Sequence, residues 1–213
     1  RQLVRFGDAA IEAVAELVLE SRGKTQERAA QILSEFGIVA MPAWGKLLRE
    51  GGHGPRAYAS KALAKIGSPA IPILKEATKE EDPGVKWRAF NALARIGAPG
   101  VSFIADTLYD ADQETISLVV KATKAVLSDP HTPDLDLYDD RGEPIIPHVI
   151  PLLDHQIADV KFLARGIVEK IGLPSISPVA EYVIDNRCNS IESERNCLYC
   201  LSGVLWGRAF GCP

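Results

Sequence analysis

Glycine recurs every 30 residues through the first half of the chain, at Gly7, Gly37, Gly67 and Gly97, and twice more 30 apart at Gly142 and Gly172. Each glycine separates two stretches whose apolar residues fall at spacings of three and four, the period of a helix. ERAAQILSEFG, AYASKALAKIG, KWRAFNALARIG and KFLARGIVEKIG align before the glycine; GSPAIPILKEAT, GAPGVSFIADTL and GLPSISPVAEYV align after it. Four residues past each glycine stand Ile11, Met41, Ile71, Val101, Ile146 and Ile176. Seven past stand Val14, Trp44, Leu74, Ile104, Val149 and Val179, so both offsets are apolar in every copy. A short amphipathic helix does not persist alone in water. A long period built from helix pairs therefore implies a stack in which each pair buries its face against the next.

The fold expected is all-α: a right-handed α-solenoid, or superhelix, of about six helical hairpins. The pattern predicts helices near 9–20, 26–36, 39–50, 56–66, 69–80, 84–96, 99–110, 114–127, 144–154, 158–171 and 175–185. Asp82-Pro83 reads as a helix start, an Asp cap followed by a Pro tolerated in the first turn. Leu63, Ile66, Ile71, Leu74, Leu93, Ile96, Val101 and Ile104 are the expected core. The register slips between Gly97 and Gly142, where Leu127 stands in the place of a glycine and an Asp-rich stretch, residues 128–141, follows. That stretch, SDPHTPDLDLYDDR, reads as a surface loop with no core residues. Residues 187–213 fit the register poorly and read as an atypical cap or a truncated repeat of one array spanning residues 1–213.

The Asp82-Pro83 entry, Val85-Lys86 followed by Ala89, and Val160-Lys161 followed by Ala164 resemble the HEAT-like repeat of the phycobilisome-lyase (PBS lyase) type, within the wider HEAT and armadillo group. The Leu93-to-Gly97 ending and Pro69, Pro99 and Pro174, each two past a glycine, match it too. The resemblance runs from Arg1 to about Asp185 and implies HEAT-like hairpins whose second helices line a concave face. It also brings three functions: bilin-attachment lyase subunits, protein scaffolds and iron-dependent hydroxylases. The hydroxylases hold metal with His-Glu pairs, and no His-Glu dipeptide occurs here.

Nine residues past the glycines lie Glu16, Lys46, Glu76, Asp106, Pro151 and Glu181, and thirteen past lie Glu20, Glu50, Glu80, Asp110, His155 and Asp185. Offsets four apart share a helix face. Stacking would align these carboxylates along a groove and concentrate negative potential there. The plainer reading is the solvated side that every amphipathic helix needs. Tyr109 and Phe103, on one second helix, read either as groove anchors or as core and rim packing. Trp87 and Phe162, each two past the Val, suggest packing between first helices.

Cys188, Cys197, Cys200 and Cys212 are all the cysteines, spaced C-x8-C-x2-C-x11-C. They read as packed apolar residues, as a disulfide or as a tetrahedral metal site, and the spacing matches no zinc finger or ribbon well. Asp129, Asp134, Asp136, Asp139 and Asp140 are oxygen ligands in type but lack a calcium-loop spacing. The four His are isolated from any partner that would make a catalytic pair or triad. A net charge of −4 argues against a nucleic-acid binder, and no run of apolar residues reaches the length of a membrane span. The opening RQLVRFGDAA has no signal-peptide pattern and no initiator Met, which reads as a fragment or a trimmed chain. Cysteines confined to one end fit a cytoplasmic protein better than a secreted disulfide scaffold.

The chain thus reads as a non-catalytic scaffold without a cofactor, binding a protein or peptide partner of basic character through the acidic stripe. The alternatives are a bilin-lyase-type enzyme subunit acting on a phycobiliprotein and a metal-binding module built on the four Cys.

Overall fold

A computed structural model describes residues 7–129, 137–138 and 145–184. Among them the chain is helical, with an isolated bridge at Tyr138 and no β-sheet. The order is α1 (Asp8–Glu20), α2 (Gly23–Glu35), α3 (Met41–Glu50), α4 (His53–Ile66), α5 (Ile71–Ala77), α6 (Pro83–Ile96), α7 (Ala98–Asp110), α8 (Gln113–Leu127), α9 (Ile146–Val149), α10 (Ala158–Ile171) and α11 (Ile176–Ile184). The fold is an all-α solenoid of helical hairpins, and it divides into two compact units, Arg1–Ile96 and Gly97–Pro213.

In the first unit α1 packs on α2 and α3 on α4. Second helices also meet along one row, α1 on α3 and α3 on α5, and first helices along another, α2 on α4 and α4 on α6. The close approach of α3 and α5 is permitted by Gly45, where an added Cβ would stand 2.9 Å from Ile73 Cγ2. In the second unit α7 meets α8 and α9, and α10 meets α8 and α9.

Among the described residues the hairpin hinges at Gly37, Gly67, Gly97 and Gly172 all have positive φ. Gly67 has φ 83° and ψ −145° and Gly97 has φ 94° and ψ −144°, a region that residues with a Cβ scarcely enter. Leu127 stands in place of that glycine, and α8 ends through Ser128 at φ −93°.

Asp82 caps α6 as expected: its Oδ1 accepts from Gly84 N–H at 2.7 Å and its carbonyl from Lys86 N–H at 3.1 Å. Asp112 does the same for α8, accepting from Thr115 N–H at 2.7 Å.

Leu63, Leu74, Leu93, Val101 and Ile104 are fully buried, as is Trp44. Ile66, Ile71 and Ile96 are only half-buried. They are the terminal residues of their helices, beside the hairpin turns, where fewer side chains close over them. Leu137 corrects the reading of 128–141 as loop without core: it is 1% exposed, and its carbonyl accepts from Ile145 N–H at 3.1 Å. Phe162 corrects the expected packing between first helices, being 62% exposed. Two residues on from buried Val160 is more than half a helical turn round, so its ring points outward, under Lys124 Nζ at 4.5 Å from the ring centroid.

Two helices are shorter than their patterns. α5 ends at Ala77, where Thr78 Oγ1 donates to Lys75 O at 2.8 Å and closes the last turn. α9 gives way to a 3₁₀ turn, Ile150–Asp154, because Pro151 has no N–H to continue the α-helical ladder.

Candidate interaction face on the second helices

Burial of the offsets four and seven past the glycine turns the offsets nine and thirteen outward. In the first unit Glu16, Glu20, Lys46, Glu50 and Glu76 are exposed and Glu80 is half-buried. The face is not of one sign. Lys46 Nζ lies 4.0 Å from Glu50 Oε2, Lys79 Nζ 2.8 Å from Glu76 Oε1, and Arg49 Nε 4.0 Å from Glu80 Oε1. Arg49 stands twelve past its glycine on α3, three residues from Lys46 and on the same face; Lys79 stands twelve past its glycine in the turn that follows α5. A stripe drawn from two offsets alone passes over them; a count of neighbours at i+3 finds them.

A cleft of about 540 Å³ opens between α1 and α3, with Asp8, Glu12 and Glu16 on one wall and Val39, Pro42 and Lys46 on the other. Val39 is 58% exposed, so an apolar surface is offered to solvent beside the carboxylates.

In the second unit Asp106, Asp110 and Glu181 are exposed. His148 Nδ1 lies 3.2 Å from Asp106 Oδ1. Phe103 is half-buried and Tyr109 is 49% exposed, so of the two aromatics on α7 it is Tyr109 that reaches solvent. Partial burial, and then the Asp106 carboxylate, push the Tyr109 phenol above its ordinary value.

A second cleft, about 510 Å³, is lined by Tyr109, Pro151, Asp154, His155 and Tyr182 with Ile116 and Ile157 at its sides. Pro151 and His155 are two of the three positions at which the acidic stripe is broken, and the fold puts both in this cleft. His155 Nδ1 accepts from Ile157 N–H at 3.1 Å. That bond assigns the proton of the neutral ring to Nε2.

Asp185 and Cys188, Cys197, Cys200 and Cys212 lie outside the described residues, as do Asp134, Asp136, Asp139 and Asp140. Among the described residues no group of three or more His, Cys, Asp or Glu is placed to hold a metal ion, and no helix is long and apolar enough to cross a membrane.

No curated protein matches the chain. Among solved structures, human deoxyhypusine hydroxylase in complex with glycerol is 12% identical, with 95% of this chain and 98% of that chain covered and a TM-score of 0.44. A designed armadillo repeat protein in complex with the peptide (KR)4 is 15% identical, covering 95% and 97%, TM-score 0.43. The CpcE–CpcF complex of phycocyanin lyase from Nostoc is 14% identical, covering 90% and 98%, TM-score 0.36. These are likenesses of fold alone. In sequence, residues 41–124, from α3 into α8, match the family model of HEAT repeats.

Proposed function

We propose that the chain is a non-catalytic scaffold that binds an extended, basic segment of a partner protein along its second helices. One observation carries this reading: the first unit opens a cleft of about 540 Å³ with Asp8, Glu12 and Glu16 facing Val39 and Pro42, and the second a cleft of about 510 Å³ in which Asp154 stands beside Tyr109 and Tyr182. Such a surface suits a side chain with an apolar stem and a charged head. The contributing residues are Glu16, Glu20, Glu50, Glu76, Glu80, Asp106, Asp110, Glu181 and Asp185.

Attraction between exposed charges is screened within about 8 Å at physiological ionic strength. Association should therefore be fast and weaken steeply with salt. The test is titration of the full chain with a fluorescein-labelled Lys/Arg-rich peptide at low and physiological salt. Replacing Glu76, Glu80 and Asp106 together by Lys should abolish binding with the helical spectrum intact, since exposed ion pairs contribute little to stability. Unchanged affinity and salt dependence in that variant would sink the proposal.

A further inference from the structure

We propose that the cleft between Tyr109 and Tyr182 in the second unit receives an arginine side chain of the partner, in preference to lysine; this rests on the basic-segment reading above and names where its key side chain goes.

The composition of the walls points to a cation. Tyr109, Tyr182, Asp154 and His155 converge on the cleft, Ile116, Pro151 and Ile157 close its sides, and no Lys or Arg is among its described lining residues. The first unit's cleft differs in that Lys46 stands in its wall. The His155 ring is held in place in the wall by the Ile157 N–H bond to its Nδ1. The nearest charged positions on α7, Asp106 and Asp110, are carboxylates, both exposed. Field and lining thus agree in sign.

The aromatic content separates guanidinium from ammonium. A planar guanidinium stacks on an aromatic face and presents a fork of donors to a carboxylate, whereas ammonium is a compact, strongly hydrated point charge. Two tyrosines beside Asp154 offer both kinds of partner in one space. The carboxylate need not be idle for this: ionised, it has about four acceptor sites. Tyr109 is 49% exposed, so its ring reaches solvent before any partner arrives. The cleft's 510 Å³ lies within the range of small-ligand sites and leaves room for a whole side chain.

The experiment uses the full chain with fluorescein-labelled octa-arginine and octa-lysine, matched in length and charge. Three proteins are compared: wild type, Tyr109→Leu and Tyr109→Phe. Wild type should bind octa-arginine more tightly than octa-lysine. Tyr109→Leu should weaken octa-arginine by about threefold to tenfold, more than it weakens octa-lysine, and so erase the preference. Tyr109→Phe keeps the ring and should keep the preference. Equal affinities for the two peptides in wild type, or a Tyr109→Leu protein that matches wild type with both, would overturn the cleft assignment while leaving the acidic face standing. If wild type binds neither peptide, the basic-segment reading itself falls and the cleft assignment with it. Tyr109 is a surface residue, and a helical spectrum matching wild type verifies that loss of binding is not loss of fold.

Discussion

Arg56 Nη1 lies 2.7 Å from Asp82 Oδ2, tying the first turn of α4 to the residue that caps α6. The same guanidinium donates through Nη2 to Arg49 O at 3.1 Å, so one side chain joins the end of α3, the start of α4 and the start of α6. Asp82 in turn accepts from Gly84 N–H at 2.7 Å. Helices α4 and α6 of the first unit are clasped at this edge by a single ion pair that doubles as a helix cap.

The Gly84 N–H bond first, and the Arg56 guanidinium second, hold the Asp82 carboxyl below its ordinary value of 3.8. A carboxylate with a depressed folded-state pKa contributes stability that is fully present above 3.8 and is lost as pH falls through the lower folded value. Asp82→Asn should therefore lower Tm at neutral pH, and the gap to wild type should close below about pH 3.8. Thermal melts of both proteins from neutral to acid pH measure this; a gap that stays constant would show that Asp82 is not ionised in the clasp.

Gly67→Ala should destabilise by about 1–3 kcal/mol. An added Cβ would meet no atom within 4 Å, so space is not the reason; φ of +83° is. A neutral result in urea unfolding would mean that the hairpin turn relaxes to another conformation at no cost.

Leu93 is fully buried in α6. Leu93→Ala removes its packing and leaves a cavity, at a cost of roughly 2–5 kcal/mol. The midpoint of denaturant unfolding reports the loss, and an unchanged midpoint would contradict the burial.

Thr123 is buried in α8, and its hydroxyl has no hydrogen-bond partner among the described residues. Desolvating a hydroxyl without a partner costs about 1–3 kcal/mol. Thr123→Val keeps the shape and removes the polar atom, so Tm should rise. A fall in Tm would reveal an acceptor for Thr123 Oγ1.

Lys79 sits 2.8 Å from Glu76 and dilutes the negative field of the second-helix face. Under the proposed function, Lys79→Gln should tighten binding of a Lys/Arg-rich peptide by about twofold to fivefold at low salt, with less effect at physiological salt. Titrations at both salts decide it; weaker binding would mean that Lys79 itself contacts the peptide.

Much of this protein was legible in its residues because the determining interactions are local. Glycine at the hairpin hinge answers a φ that side chains avoid, and the apolar offsets answer the helical period; both act within a few residues of chain. That is why Gly67 and Gly97 mark turns and why Leu74, Val101 and Ile104 lie in the core. Asp82-Pro83 and Asp112 are start signals of the same local kind.

Tertiary structure alone decided which side chains meet across helices. Arg49 reaches Glu80 from a different helix, and His148 reaches Asp106 across 42 residues. Spacing in one helix is silent on both, because such contacts depend on how far neighbouring helices approach and how long side chains lie between them. Phe162 occupies the position equivalent to Trp87, yet it is 62% exposed where Trp87 is half-buried, because neighbouring side chains cover that position in one hairpin and not in the other. Leu137 is buried within a stretch whose composition argues for solvent, since one apolar residue finds the core wherever the backbone returns to it. The Tyr109–Tyr182 cleft brings together residues of one chain separated by two hairpins' length, and only stacking of α7, the Ile150–Asp154 turn and α11 around a common space makes them neighbours.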